Sequence, residues 1–203
     1  MADTGAPHFI PFADPTDLVR DWPALSEDVA DAVAAGLDAA GGLVAVKSAI
    51  FTGTQTASVD ASDNVAVTDL TITHEVADPA NRLIISAFLG AAASSVGAGN
   101  VGIAVHDGTG LIAIADADGS RTRVTAGGNV VINSTGNISG RVVTMPSVTF
   151  VHTPGAGEKT FTVRAINIRA ETRTLFINRA EDDSNDESRS RAVSSLVIQE
   201  VKV

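Results

Sequence analysis

Apolar and polar residues alternate most cleanly in the last third of the chain. Between Ser147 and Val203 four strand-like runs follow one another: Val148–Val151, Thr160–Ile168, Thr172–Asn178 and Ala192–Val203. In the second run Phe161, Val163 and Ala165 alternate with Thr160, Thr162 and Arg164, so one face is apolar and the other polar. Val, Ile, Phe and Thr recur in these runs, and such side chains fit a pleated surface. The final run is apolar on both faces, with Val193, Val197, Val201 and Val203 on one and Leu196 and Ile198 on the other. That pattern predicts a central strand covered on both sides. A chain that ends in such a strand closes its core last, so the other strands are expected to assemble around a sheet that this segment completes.

The strand pattern reaches back to Leu43. Leu43–Phe51, Val65–Val76, Arg82–Leu89, Val101–His106, Leu111–Ala115, Arg121–Thr125 and Val130–Ile132 read as strands. Turn residues separate them at Asp78-Pro79-Ala80-Asn81, Asp107-Gly108, Asp118-Gly119 and Gly127-Gly128. Within Val65–Val76 the alternation slips by one residue at Asp69, which predicts a bulge. About ten short strands with Gly- and Asp-rich turns predict an all-β fold, an antiparallel jelly-roll-like β-sandwich. Residues 91–100, 133–140 and 181–190 are the expected recognition loops, because loops on a rigid scaffold carry binding.

Residues 1–42 break this pattern and are expected to form a separate unit, with the β-domain spanning 43–203. Pro7, Pro11 and Pro15 interleave with Phe9, Ile10 and Phe12, which predicts an extended arm. That arm is either a frayed terminus or a segment that docks on something larger. From Pro15 to Ala40 the spacing of Leu18, Trp22, Leu25, Val29, Val33 and Leu37 predicts one amphipathic helix. Asp14 is its expected N-cap with Pro15 at the first position, and Ser26 is the alternative cap, although the apolar period already runs through it; Pro23 divides a short turn from the main helix, and Gly41-Gly42 ends it. A lone amphipathic helix cannot bury its stripe by itself. Three partners stay open: the chain's own β-domain, other copies in a short parallel bundle, or another protein.

Charge sharpens that division. The 203-residue chain carries a formal net charge of −10. Residues 1–42 hold eight acids and one base, Arg20, so −7 of it lies there and −3 in the rest. An acidic chain with no Tyr and one Trp is poorly suited to nucleic acid or to anionic membrane surfaces. No apolar run reaches bilayer-spanning length, so membrane insertion is not expected. There is no Cys, so disulfides contribute nothing. Met1-Ala-Asp-Thr-Gly5 lacks a basic and an apolar region of a secretory signal, which leaves a cytoplasmic protein or one that leaves a cell inside a virus particle.

Motifs that suggest chemistry weaken on inspection. Gly97-Ala-Gly99-Asn-Val-Gly102 has the letters of a dinucleotide loop, yet a strand pattern follows where a helix N-terminus is required. Asp116-Ala-Asp118-Gly119 begins like a calcium loop but lacks its distal Glu, so a hairpin turn is expected. Glu181-Asp182-Asp183-Ser184-Asn185-Asp186-Glu187 lies between Arg179 and the pair Arg189 and Arg191, a solvated loop pinned by arginines or a cation or partner contact. Two formal glycosylation sequons, at Asn133 and Asn137, carry little without a signal sequence. His8, His74, His106 and His152 are scattered and match no zinc motif. No cofactor, metal site or catalytic residue is therefore expected, and a glycan-degrading enzyme is the least favoured class.

The ends of the chain resemble a known group. The string Ile10-Pro-Phe-Ala-Asp-Pro-Thr-Asp-Leu-Val-Arg-Asp-Trp-Pro-Ala-Leu25, then an Ala-rich helix ending Gly41-Gly42-Leu43-Val44, resembles the anchor of tail-fibre and minor tail proteins of bacteriophages of GC-rich hosts. Val148-Thr-Phe-Val-His152, Thr160-Phe-Thr-Val-Arg164, Phe176-Ile-Asn-Arg179 and Ser190-Arg-Ala-Val-Ser-Ser-Leu196 resemble the closing strands of their jelly-roll tips. The resemblance covers about half the chain and implies a virion protein, a homotrimer made in the host cytoplasm. It implies attachment to other virion proteins by the N-terminal segment, through the stripe Leu18, Trp22, Leu25, Val29 and Val33. The β-domain is expected to meet a host-surface glycan or protein. No long fibrous repeat separates the two ends, so a short spike, or a capsid-decoration or tail-assembly protein without a receptor, is expected.

Overall fold

The computed structural model describes residues 31, 42–93, 101–128, 143–184 and 191–203. Among them are twelve strands: β1 (Leu43–Phe51), β2 (Gln55–Val59), β3 (Asn64–Val76), β4 (Arg82–Phe88), β5 (Ala91–Ala93), β6 (Val101–His106), β7 (Leu111–Ile112), β8 (Ala126–Gly128), β9 (Ser147–His152), β10 (Gly157–Asn167), β11 (Arg173–Ile177) and β12 (Ser194–Val201). All the pairings are antiparallel. The first sheet has the order β1-β12-β4-β9 and the second β3-β10-β6-β7, with β8 also on β6; a short third sheet runs β2-β11-β5. Pairs nest from the chain ends inward: β1 with β12, β3 with β10, β4 with β9, β6 with β7 and β8. The fold is an antiparallel all-β sandwich.

The alternation read from sequence builds the core. Phe161, Val163 and Ala165 of β10 are fully buried, and they meet Leu83, Ile85, Leu196 and Ile198 of the first sheet in one apolar cluster. The slip at Asp69 is a bulge: Thr162 faces Thr71 and Arg164 faces Ala66, so residues 67–70 lie opposite Val163 alone. Asp69 takes φ of 59°, a left-handed conformation that Asp tolerates better than branched residues do. The extra residues return Leu70 and Ile72 to the inner face beside Val67, and all three are buried.

Several expectations need correction. Strand β12 is central, yet only its inner face is sealed: Leu196 and Ile198 are fully buried, Val197 and Val201 are half-buried, and Val193 and Val203 are exposed. Arg121–Thr125 is not a strand. Its backbone is held at separate points, with Arg121 N donating to Asp118 O, Val124 O accepting from Ala115 N, and Thr125 N donating to Ile103 O. The expected strand Leu111–Ala115 shortens to Leu111–Ile112. Ala91–Ala93, expected at the start of a loop, forms β5 because β11 offers it a free edge. Val130–Ile132 lies outside the described residues. So does the helix expected over 15–40, apart from Asp31, which is helical.

Three buried polar groups staple segments that are distant in sequence. Asn167 Nδ2 reaches the carbonyls of Val59, Asp60 and Glu171 (3.0, 3.0 and 2.8 Å). Asn178, at φ of 61°, donates through Nδ2 to Phe51 O (2.7 Å) and Gly53 O (2.9 Å), and Ser194 Oγ donates to its Oδ1 (2.6 Å). Glu200 points from β12 across the core. Its Oε2 contacts His74 Nε2 of β3 at 2.8 Å, while Oε1 accepts from Asn81 Nδ2 (2.7 Å) and Ala77 N (3.0 Å). Burial pushes the Glu200 carboxyl up, but hydrogen bonds from Asn81, His74 and Ala77 N outweigh it and hold the group below its ordinary 4.5.

Glu200→Ala leaves buried His74 and Asn81, and the Ala77 N–H, without their acceptor and is expected to cost about 3 kcal/mol at neutral pH, measured by urea unfolding. Because the folded carboxyl binds protons less readily than the unfolded one, its contribution is complete above about pH 4.5. That contribution is lost as pH falls through the lower folded value. The stability gap between wild type and Glu200→Ala should therefore narrow below pH 4.5. A gap independent of pH would show that the charge is not what the cluster holds.

Candidate functional site

The sandwich has two distinct ends. At one, Gly42 accepts a hydrogen bond from Lys202 N (2.9 Å) and β1 pairs Leu43 with Val201. Glu200, His74 and the Asp78–Asn81 turn lie at this same end, where Asp78 Oδ1 accepts from Ala80 N. At the other, β10 finishes at Asn167 opposite Val101, Val101 pairs with Gly128, and Val59 pairs with Arg173. The described residues that flank 94–100 and 129–142, namely Val101 and Gly128, belong to this second end. The point where residues 1–42 join the β-domain is thus opposite to the end from which those two segments leave.

A cleft of about 440 Å³ opens at the second end between the 60–63 turn, the 118–124 loop and the 168–172 turn. Ser62, Ser120, Arg121, Thr122, Val124, Ile168 and Ala170 line it. Ser62 sits at φ of 59°, its N donates to Arg169 O (3.2 Å), and its Oγ lies 2.7 Å from Thr122 Oγ1. Asn167 fixes the adjoining turn through its three carbonyl contacts, so the cleft wall is rigid on one side. The lining offers three hydroxyls and a guanidinium next to the aliphatic side chains of Val124, Ile168 and Ala170. This set suits a polyhydroxylated ligand, hydrogen-bonded at one edge and resting its apolar face on Val124 and Ile168. Arg121 is paired with Asp118 at the rim, and both side chains are largely exposed.

Asp118 belongs to a turn and has an arginine partner, but the expected hairpin is not formed, because neither side of the turn is a strand. Among the described residues no group of three or more His, Asp and Glu side chains is arranged to hold a metal ion. The acidic run is described only as far as Ser184. There Asp183 accepts from Arg191 Nε (3.2 Å) and Nη2 (2.9 Å) and lies 4.0 Å from Arg179. Arg179 also stacks over Phe176 at 4.6 Å and donates to Thr56 Oγ1 (2.9 Å), and Arg179 and Arg191 form a backbone bridge. The base of this loop is pinned by arginines, as its composition suggests.

A second titratable pair lies near the Gly42 end. Asp107 closes its turn by accepting from Thr109 N, Thr109 Oγ1 and Gly110 N, and its Oδ2 is 4.0 Å from His152 Nε2. Burial raises Asp107, and those hydrogen bonds together with His152 outweigh it and lower it. Burial lowers His152, Asp107 opposes, and Lys159 adds to the lowering. His152 packs edge-on against Phe161, which ties it to the core and not to the cleft.

Leu18, Trp22, Leu25, Val29 and Val33 lie outside the described residues, as do 94–100, 133–140 and 185–190 of the expected loops. Residues 91–93 of the first loop are strand β5. The cleft itself had no signature in sequence: its residues come from three turns, and Ser62 and Thr122 are sixty positions apart. No family model matches this chain, and no curated protein matches it.

His152 is expected to titrate below 6.5 by NMR. Its folded form resists protonation, so the stability tied to it is complete above pH 6.5 and lost as pH falls through the folded value. His152→Gln should remove that component from the pH dependence of thermal unfolding. An unchanged pH profile in the variant would assign the loss to another group.

Proposed function

We propose that this chain is a non-enzymatic structural protein of a bacteriophage virion, a short tail fibre or spike. In this reading residues 1–42 grip other virion proteins and hold a homotrimer together. The β-domain is a jelly-roll tip that meets a glycan or protein on the host surface. The observation that carries the reading is the polarity of the sandwich. Gly42 enters at one end, while the hydroxyl-lined cleft and the flanks of 94–100 and 129–142 occupy the other. An anchored adhesin needs that separation, because its attachment must not block its binding end. Nested pairing of β1 with β12, β3 with β10 and β4 with β9 supports the jelly-roll form of the tip.

A capsid-decoration or tail-assembly protein without a receptor is the second reading. It is favoured by the direct passage from Gly42 into β1, which leaves no spacer to hold a tip away from a particle.

Purified chain added to host cells before infection should reduce virus adsorption in proportion to dose. Arg121→Ala combined with Thr122→Ala should weaken that competition by about tenfold, the loss of one to two hydrogen bonds to a charged or hydroxyl-rich ligand, without moving the thermal midpoint. If cells neither bind the protein nor resist infection, the receptor reading is wrong and decoration takes its place. For the anchor, Leu25→Asp with Val29→Asp should leave the β-domain folded while the protein drops out of particles. Normal incorporation of that variant would remove the stripe from the interface.

A further inference from the structure

The outer face of the second sheet carries a guanidinium that the fold leaves unused. Arg164 lies on β10, between Ala66 of β3 and Ala104 of β6 by strand register. It is half-buried, and its Nε is buried with no hydrogen-bond partner. An N–H of a charged group buried without an acceptor is unfavourable, and this chain has acceptors to spare, with 24 acids against 14 bases. Arg121, Arg173 and Arg191 are each paired with a carboxylate, and Arg123 Nε donates to Ala115 O. Among the described residues Arg164 has no such partner. Even Asp69, exposed in the bulge opposite Val163, forms no ion pair with it.

The neighbouring rows of the same face add donors and no carboxylate. Thr71, Thr162 and His106 form one row, and Thr73 and Thr160 begin the next. Thr71 Oγ1 lies 3.0 Å from Thr162 Oγ1, and Thr73 Oγ1 3.1 Å from Thr160 Oγ1. Within each pair one hydroxyl donates to the other, whose own hydrogen is left over. His106 Nδ1 accepts from Gly108 N (2.9 Å), which puts the proton of the neutral ring on Nε2. Strands about 4.8 Å apart and a two-residue step of about 6.6 Å bring this row within reach of a side chain as long as arginine.

We propose that this face binds an oxyanion, the carboxylate, sulfate or phosphate group of a ligand, through the Arg164 guanidinium, with the Thr71–Thr162 hydroxyl pair and His106 Nε2–H completing its hydrogen bonds. Such a group only accepts, and every unused polar hydrogen here is a donor. The planar fork of an arginine matches two oxygens of either a carboxylate or a tetrahedral anion. None of these residues lines the cleft at the 60–63 turn, so the site is additional to it and does not depend on what the cleft holds.

Glucuronate and inorganic sulfate, each titrated into the full-length protein at constant ionic strength, should shift the Arg164 Nε–H and the Thr162 and His106 amide resonances saturably in NMR. Saturation by glucuronate alone assigns a carboxylate ligand, by sulfate alone a tetrahedral one, and by both an oxyanion site that takes either. Arg164→Gln should weaken binding by about tenfold or more, read from the two amides. Arg164→Lys keeps the charge but not the fork and should recover only part of that loss. Arg82→Gln, an exposed charge on the first sheet, and Arg121→Ala with Thr122→Ala in the cleft should leave the affinity unchanged. If the arginine variants fail to fold, Thr71→Val with Thr162→Val serves, with a smaller loss in the same direction. The proposal is overturned if neither anion saturates the wild-type protein, or if folded Arg164→Gln or the valine pair binds as tightly. An equal loss in Arg82→Gln would mark diffuse attraction, and a loss confined to the cleft variant would move the anion to the cleft; either result also overturns it.

Discussion

Glu200 is a carboxylate placed where water cannot reach it, and the closed sandwich depends on how that placement is satisfied. Taking a charged group into an apolar interior is unfavourable unless its lone pairs are met by well-oriented donors. Here the donors come from three places: a histidine on the opposite sheet, the side chain of Asn81 in a tight turn, and the backbone N–H of Ala77. None of these contacts is local in sequence. The carboxylate is therefore fully satisfied only when β12 is seated between β1 and β4 and β3 lies across the core from it. An apolar residue at 200 would tolerate slippage of the last strand by two residues; a buried carboxylate tolerates little, because every slip leaves a charge without partners.

The same logic recurs at the other end of the sandwich with neutral groups. Asn178 and Asn167 each sit at a strand end and gather carbonyls, all but that of Glu171 from segments more than a hundred positions away. These amides take the place of the edge pairing that the strands give up where they end. Asn178 also needs a left-handed backbone, which asparagine adopts more readily than most residues. Together the three clusters fix the two ends, while the apolar alternation of β10, β12 and β4 fills the middle.

That arrangement also shapes the cleft. Turns tied down by Asn167 form a wall of the hydroxyl-lined cleft, so the cleft inherits its shape from a structural constraint. The Gly42 end is equally ordered, since Gly42 O accepts from Lys202 N just past the last strand. Each end of the sandwich is thus ordered by its own polar cluster.

The sequence by itself determined β1, β3, β4, β6, β9, β10 and β12 as apolar-rich runs between turns, and, where the alternation is strong in β3 and β10, the buried face and the bulge at Asp69. Their side-chain period encodes which face is buried, and periodicity is a local property. Where the period is weak the reading failed: alanines at 91–93 became a strand because β11 offered a free edge, and the mixed residues 121–125 did not because no ladder reached them. The outer face of β12 read as buried, since a valine facing solvent and a valine facing a core look alike in sequence. Glu200, Asn167 and Asn178 carried no signal at all, for the same letters on a surface would be unremarked. Their roles, and the cleft that unites Ser62 with Thr122, were decided only by the tertiary structure. What makes a polar residue structural is the set of partners that folding brings to it.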